Sequence, residues 1–135
     1  MDAASLRELD RERYVSLVTF RKNGRGVPTP VWWALDGGRF YAFSEARSGK
    51  MKRLRNDPRV HLCGCNARGK AHGRWHTGRA RRCDDAATVG RAYAALHRKY
   101  GWQMAVADFF SKLTGRMAGR AILEIEVEGP SPAAS

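Results

Sequence analysis

Short runs of apolar and β-branched residues with a period of two recur along this chain, which is typical of strands rather than helices. The turn signals Asn23-Gly24 and Asp36-Gly37-Gly38 separate the first three runs, so these form an antiparallel meander. Because proline cannot donate a ladder hydrogen bond, Pro28 and Pro30 place the second strand at a sheet edge or a bulge. Six strands are predicted in all, over residues 14–20, 27–35, 39–44, 60–66, about 70–83 and 123–128.

Helical spacing of apolar residues interrupts this strand pattern. Ser48 is a suitable N-cap for a short helix carrying Met51 and Leu54, and Pro58 ends it. Further along, two acidic residues suit the N-terminal dipole of an Ala-rich helix. Four helices are predicted, over residues 2–12, between Ser48 and Pro58, from Asp84-Asp85 through Tyr100, and over residues 103–113.

The length of 135 residues fits one domain with one core. Six mostly antiparallel strands with peripheral helices predict a small, mainly β barrel over residues 1–128. Residues 129–135 begin with Gly-Pro-Ser-Pro and are small and polar, so we expect a flexible C-terminal tail.

The composition predicts a cytoplasmic protein with an anionic partner. Lys and Arg number 25 against 13 Asp and Glu, which gives a formal net charge of +12. No apolar run is long enough to span a membrane, and the charged N-terminus does not resemble a signal peptide. Three cysteines, an odd number, argue against a disulfide framework.

A candidate anion site lies at the start of the helix that follows Ser48. Free backbone N–H groups, the helix dipole, a capping hydroxyl and nearby ammonium groups together favour a phosphate. Ser48 and Lys50 are therefore expected to bind one. The alternative is that the basic run of residues 47–59 forms only a solvated face.

Two neighbouring tryptophans must point to opposite faces of their strand. One of Trp32 and Trp33 can fill the barrel, and the other projects outward. An outward indole needs a cover, which can be one of the protein's own helices, a second subunit or a flat ligand.

No catalytic or metal constellation is evident. His61, Cys63 and Cys65 share one strand face, but the outer two lie about 13 Å apart along the strand, too far for one ion. We therefore expect no metal and assign no catalytic residue. Any enzymatic reactivity is expected to come from a cofactor.

Several segments, in order and spacing, resemble the pyridoxamine-phosphate-oxidase-like superfamily, and within it the branch that uses the deazaflavin coenzyme F420. The likeness extends over roughly residues 12–128. The segments are VPTPVWW (27–33), FYAFS (40–44), SGKMKRLRNDPRV (48–60), RGK (68–70), WHTGRA (75–80) and KYG (99–101).

The resemblance implies a six-stranded split β-barrel that forms a homodimer, with a flavin or deazaflavin in a groove at the subunit interface. Ser48 and Lys50 would hold the cofactor phosphate, with Lys52 and Arg53 nearby. The implied ring-side residues are Thr29, Pro30, Val31 and Trp32, and those near the ribityl chain are Phe43 and Ser44.

The chain also departs from the pattern of the FMN-dependent oxidases that make vitamin B6. Thr29 and Ala34 stand where those proteins carry Arg and Lys, and Gly49 replaces the Arg of their Ser-Arg-Lys triplet. Losing bidentate Arg contacts to phosphate argues against that activity. F420 ends in a phospholactyl oligoglutamate tail, which suits a basic groove. The resemblance therefore implies a reductase that passes hydride from reduced F420 to an organic small-molecule acceptor.

Three alternatives remain open on the sequence. The chain could be an FMN flavoprotein of the same superfamily, or a haem-binding relative. From another class, it could be a basic barrel that binds nucleic acid through its Arg patches with Trp75 and Trp102, although it carries no recognised nucleic-acid motif. No membrane partner is expected.

Overall fold

The computed structural model describes residues 1–115 and 119–131, which form one curled antiparallel sheet with four helices. The strands are β1 (Tyr14–Phe20), β2 (Gly26–Val31), β3 (Trp33–Asp36), β4 (Arg39–Glu45), β5 (Arg59–Cys65), β6 (His76–Cys83) and β7 (Arg120–Pro130). The helices are α1 (Ala3–Asp10), α2 (Gly49–Asn56), α3 (Ala86–Tyr100) and α4 (Trp102–Leu113). The mainly β fold with peripheral helices is confirmed, and the curled sheet is consistent with a split barrel.

The sheet has seven strands, so the prediction of six is wrong by one. The predicted strand 27–35 divides at Trp32 into β2, which pairs with β1, and β3, which pairs with β4. Hydrogen bonds between two side chains of α3 and the backbone of Trp33 explain this division. The Trp33 N–H donates to the Tyr100 hydroxyl at 3.0 Å, and the Trp33 carbonyl accepts from Lys99 Nζ at 2.7 Å. Side chains of a distant helix thus bind backbone groups at the point where the strand changes partner.

The strand order is β2-β1-β5-β6-β7-β4-β3. Strands β2 and β3, which follow each other in the chain, therefore lie at opposite ends of the sheet. The predicted edge position of the proline-bearing strand is confirmed, because β2 pairs only with β1 in this order. Pro28 lies opposite Val18, and Pro30 lies opposite Ser16. The missing N–H groups of the two prolines are therefore tolerated at an edge.

Two apolar layers hold the sheet together. Inside the curl, Trp33 is fully buried and stacks on Phe40 with ring centroids 3.9 Å apart. On the outer side, α3 packs Leu96 and Tyr100 against Ala34. The inner layer includes Leu17, Leu62, Leu123 and Ile125, all fully buried. Of the two neighbouring tryptophans, Trp33 is thus the one that fills the barrel.

Strand β6 begins later than the sequence pattern predicts, at His76 rather than near residue 70. The preceding residues form a loop in which Asn66 Oδ1 accepts from the backbone N–H groups of Arg68 and Lys70. Further on, β6 and β7 change register between Thr77 and Gly78. A Cβ at Gly78 would lie 2.4 Å from the Glu126 carbonyl oxygen, so only glycine fits this close approach.

The end of β7 also differs from prediction. The strand continues past the predicted boundary at residue 128 to Pro130, and Ser131 is buried, its N–H donating to the Trp75 carbonyl at 3.0 Å. The tail predicted from residue 129 is therefore wrong for its first three residues, 129–131. The rest of it, residues 132–135, lies outside the described part of the chain.

Candidate functional site

A pocket of about 310 Å3 opens beside the break between β2 and β3. We call it the Trp32 pocket. Among the residues predicted to bind a cofactor, those that line it are Pro30, Val31, Trp32, Phe43 and Lys50. Segments distant in sequence, from β2, β4 and α2, thus meet at one opening.

Lys50 supplies the charge of this pocket. Its side chain is buried, and Nζ donates to Ser44 Oγ at 3.1 Å, the one hydrogen bond described for this ammonium group. Burial, and secondarily the nearby Arg53, lower the pKa of Lys50. An ammonium group can donate three hydrogen bonds. Within residues 1–115 and 119–131 no carboxylate pairs with Lys50, so it can serve a ligand anion.

Ser48 caps α2, as the sequence predicts. Its Oγ accepts from the Met51 N–H at 3.4 Å and lies 3.4 Å from Ser44 Oγ. The two hydroxyls and Lys50 therefore form one connected polar group at the start of the helix. The helix dipole adds positive potential at the same point.

Arg53 reaches back over the first turn of α2. A Cβ built on Gly49 would lie 2.8 Å from Arg53 Nη1, so the guanidinium occupies the space that a side chain at position 49 would need. Arg53 Nε donates to Thr19 Oγ1 at 2.7 Å, which fixes this orientation. Burial, followed by the charge of Arg21, lowers the pKa of Arg53. The glycine that departs from the Ser-Arg-Lys pattern thus gives room to an arginine one turn later.

Trp32 forms the aromatic wall of the pocket. Its indole stacks on Tyr100 with centroids 4.5 Å apart and meets the edge of Phe43 at 6.4 Å. One of the three covers considered for the outward indole, the protein's own helix α3, therefore covers one ring face. Trp32 is still only partly buried and lines the opening.

The other predicted residues do not line the pocket. Thr29 Oγ1 points to the Leu17 carbonyl at 3.5 Å, and Lys52 is exposed on α2. Ser44 and Ser48 reach the pocket only through Lys50, and Arg53 lies over Gly49. Their roles in binding stay predictions.

The sequence interpretation missed several parts of this site. Tyr14, Ala67 and Ala107 line the pocket, and Tyr100 supports its wall. Two of the lining residues are alanines, which carry no chemical signal of their own. Tyr100 belongs to the segment 99–101 that supports the family resemblance, so it could have been found.

Basic residues cluster in two runs of the sequence, 47–59 and 68–82, and ion pairs take up more of the charge in the second run than in the first. In the run 68–82, Arg79, Arg81 and Arg82 each form an ion pair, with Glu128, Glu124 and Asp84 respectively. In the run 47–59, the one ion pair described joins Arg59 to Asp57. Arg68, Lys70 and Arg74 also have no described ion pair, so both runs offer charge to an anion, and the run around α2 offers more of it.

The cysteines and histidines form no metal site in the described part of the chain, where no three His, Cys, Asp or Glu side chains lie close enough for an ion. Cys63, Cys65 and Cys83 are free and buried, and burial raises the pKa of each thiol. No catalytic residue is assigned among the described residues. No helix of the described residues is long and apolar enough to cross a membrane.

Comparison with known proteins gives the family. The family model described as Pyridoxamine 5'-phosphate oxidase matches residues 1–129. The chain belongs to the pyridoxamine 5'-phosphate oxidase family. No curated protein matches its sequence.

Solved structures similar to this family member share its fold. A conserved hypothetical protein from Mycobacterium tuberculosis is 20% identical, with a TM-score of 0.69 over 95% of this chain and 81% of the other. The heme storage protein HutZ from Vibrio cholerae is 13% identical, with a TM-score of 0.67 over 93% and 89%. An F420 reductase is 19% identical, with a TM-score of 0.57 over 91% and 92%.

Proposed function

We propose that the protein is an oxidoreductase that uses reduced F420 to transfer hydride to a small organic acceptor. The observation that carries this proposal is the buried Lys50 ammonium in the aromatic Trp32 pocket, with no carboxylate partner among the described residues. A buried charge is expensive unless it is paired. A ligand with an anionic group and a flat ring would pair this charge and cover the exposed part of Trp32.

The residues present fit such a cofactor. Trp32, Phe43, Pro30 and Val31 offer an apolar wall for a planar ring. Lys50 and the first turn of α2, with Arg53 above it, offer donors to a phosphate. The exposed Lys52 and Arg55 on the same helix would meet the carboxylates of an oligoglutamate tail. Membership of the family and the structural likeness to an F420 reductase support the same assignment.

When bound in its reduced form, F420 supplies the hydride, and the acceptor is reduced as the coenzyme is oxidised. The protein's own residues orient the ring against Trp32 and keep water from its covered face. In this proposal the active unit is a homodimer with the cofactor at the subunit interface, and the second subunit would complete the open side of the Trp32 pocket.

Parallel titrations with F420, FMN and haem test the proposal, with tryptophan fluorescence as the signal, because Trp32 lines the pocket. We expect F420 to bind with a Kd of about 1 μM or below. Lys50→Ala should weaken binding roughly ten- to hundredfold, since a hydrogen bond to a charged group contributes about 1.5–3 kcal/mol. Lys22→Ala, which removes the same charge in the β1–β2 turn, is the matched control and should bind F420 as the wild type does.

Each other result points to a different function. Tighter binding of FMN would favour an FMN flavoprotein, and tighter binding of haem would favour a haem-binding relative. Salt-sensitive binding of an oligonucleotide without any preference for F420 would favour the nucleic-acid-binding alternative. An F420 isotherm unchanged by Lys50→Ala would remove the assigned phosphate site.

A further inference from the structure

A second cavity, of about 430 Å3, lies between α1, the loop that precedes β6 and the end of β7. We call it the His76 pocket. Among the described residues, none that lines it also lines the Trp32 pocket. A cavity of this volume can hold a small organic ligand. The protein therefore has room for a ligand that does not occupy the proposed cofactor site.

His76 is the most deeply buried polar side chain of this pocket. It is only 8% exposed, and its Nδ1 has no hydrogen-bond partner within residues 1–115 and 119–131. Burial lowers the pKa of His76, and the nearby backbone of Arg74 opposes this effect, so the ring is uncharged at neutral pH. An uncharged imidazole has one donor and one acceptor nitrogen. Since buried polar groups are ordinarily hydrogen-bonded, the unpartnered ring beside a cavity points to a ligand.

Two carboxylates from the first part of the chain line the same pocket. Glu8 lies on α1 and is exposed, and Glu12 follows four residues later. Glu12 Oε2 lies 2.8 Å from His72 Nε2, and in the described part of the chain no partner is seen for its other carboxylate oxygen. A Cβ built on Gly64 would overlap the Glu12 carboxylate, which thus occupies space that the glycine leaves free. Carboxylates only accept hydrogen bonds, so this wall suits an ammonium group.

Arg74 brings the opposite charge to the pocket. Its side chain is exposed in the loop before β6, and no ion pair is described for it. A simple anion would therefore meet two carboxylates, and a simple amine would meet a guanidinium. A ligand that carries both charges matches both. Leu9 and Pro130 also line the pocket and provide apolar surface for the rest of such a ligand.

We propose that the His76 pocket binds a free amino acid with an apolar side chain. The ammonium group of the ligand donates to Glu8, Glu12 and the acceptor nitrogen of His76, and its carboxylate pairs with Arg74. An ammonium group has three donors, which equals the number of these acceptors. The inference does not depend on which cofactor binds in the Trp32 pocket, because the two pockets have different walls.

Calorimetric titration at pH 7 with L-leucine tests this site. Isoamylamine lacks the ligand carboxylate, and 4-methylpentanoate lacks the ammonium group. We expect leucine to bind with a Kd of about 1 mM or below. Each analogue should bind about tenfold more weakly or worse, because it has lost one charge-assisted interaction. In 1H–15N spectra, leucine should move the amide signals of Gly64 and Gly73, which line the pocket, and leave the Trp32 indole signal in place.

Two variants with matched controls assign the charges. Glu12→Gln should weaken leucine binding about tenfold or more. Glu45→Gln, the same change at an exposed position outside the pocket, should have no effect. Arg74→Gln should remove the preference for leucine over isoamylamine. Arg68→Gln in the same loop does not alter the pocket wall and should keep that preference.

Three results would overturn the inference. The first is the absence of any shift at Gly64 and Gly73 at about 10 mM leucine, well above the expected Kd. The second is equal affinity for leucine and either of its analogues, which would exclude recognition of both charges. The third is an unchanged leucine isotherm in Glu12→Gln and Arg74→Gln when circular dichroism shows both variants to be folded.

Discussion

The indole ring of Trp32 lies parallel to the phenol ring of Tyr100, with centroids 4.5 Å apart and an interplanar angle of 9°. The hydroxyl of the same tyrosine accepts from the Trp33 N–H at 3.0 Å and donates to the Arg13 carbonyl at 2.7 Å. One side chain from the end of α3 thus supports the wall of the pocket and binds the backbone where β2 gives way to β3.

Substitution of Tyr100 separates these two contributions. Tyr100→Phe keeps the ring stack but leaves buried backbone groups without a partner, so we expect a loss of about 1–3 kcal/mol in the free energy of unfolding. Tyr100→Leu also removes the stack and should cost about 1 kcal/mol more. Urea unfolding measures both. Tyr93→Phe on the same helix is the control, and an equal loss there would contradict a specific role of the Tyr100 hydroxyl.

Lys50→Met should make the protein more stable and unable to bind its anion. Burial lowers the pKa of Lys50, so the folded state carries a desolvated charge that methionine lacks. We expect a gain of about 1 kcal/mol in the free energy of unfolding at neutral pH, measured in urea.

The pH dependence of that gain identifies its cause. Between the lowered pKa of folded Lys50 and the ordinary lysine pKa of 10.5, the unfolded chain binds more protons, so wild-type stability rises with pH. The advantage of Lys50→Met should therefore be full below that interval and shrink as the pH approaches 10.5. A gain that is constant across the interval would mean that packing, not the buried charge, is responsible.

Gly49→Ala should weaken F420 binding through Arg53. The new methyl group would lie 2.8 Å from Arg53 Nη1 and would displace the flexible guanidinium at little cost in stability. We expect roughly tenfold weaker binding, because a charged hydrogen-bond donor is moved away from the first turn of α2. Tryptophan quenching measures the change.

A double-mutant cycle tests whether Arg53 is the intermediary. Arg53→Ala alone should weaken binding by a similar factor, and Gly49→Ala should then have no further effect in the Arg53→Ala background. Additive losses would mean that the alanine methyl obstructs the ligand directly.

Arg120→Ala should be the most destabilising of these changes. Asp108 would remain largely buried with only His97 as a partner, and removal of one member of a buried ion pair costs about 3–5 kcal/mol. Arg98→Ala, which breaks the exposed pair with Asp36, should cost less than about 1 kcal/mol. Similar unfolding midpoints for the two variants would contradict the role of Arg120 in holding α4.

Much of the fold could be predicted because local pattern and tertiary structure agree. β1 matches its predicted range of 14–20, and Ser48 caps α2 as expected. The prolines indicated an edge or a bulge in the second strand, but its division at Trp32 could not be predicted, since neither glycine nor proline stands at Trp32 or beside it. The break depends on Lys99 and Tyr100, which are far away in sequence.

Pocket residues could be predicted from the sequence where they carry a charge, an aromatic ring or a motif of the family. Residues without such a feature could not. Lys50 and Trp32 carry charge and aromatic area, and both line the pocket. Ala67 and Ala107 contribute only shape, which one sequence does not reveal. Arg53 was expected near the phosphate, but its position over Gly49 follows from its bond to Thr19 on another element.

The position of β2 and β3 at opposite ends of the strand order has a mechanical consequence. In the described sheet no hydrogen-bonded ladder joins these two strands, so their link at Trp32 is the covalent main chain. Helix α3 bridges this seam, since the Tyr100 hydroxyl binds both the Trp33 N–H and the Arg13 carbonyl, and Lys99 Nζ donates to the carbonyls of Trp33 and Glu12. Widening the seam would therefore break these α3 contacts but no strand pair, so the tip of one helix sets how far the barrel wall can part.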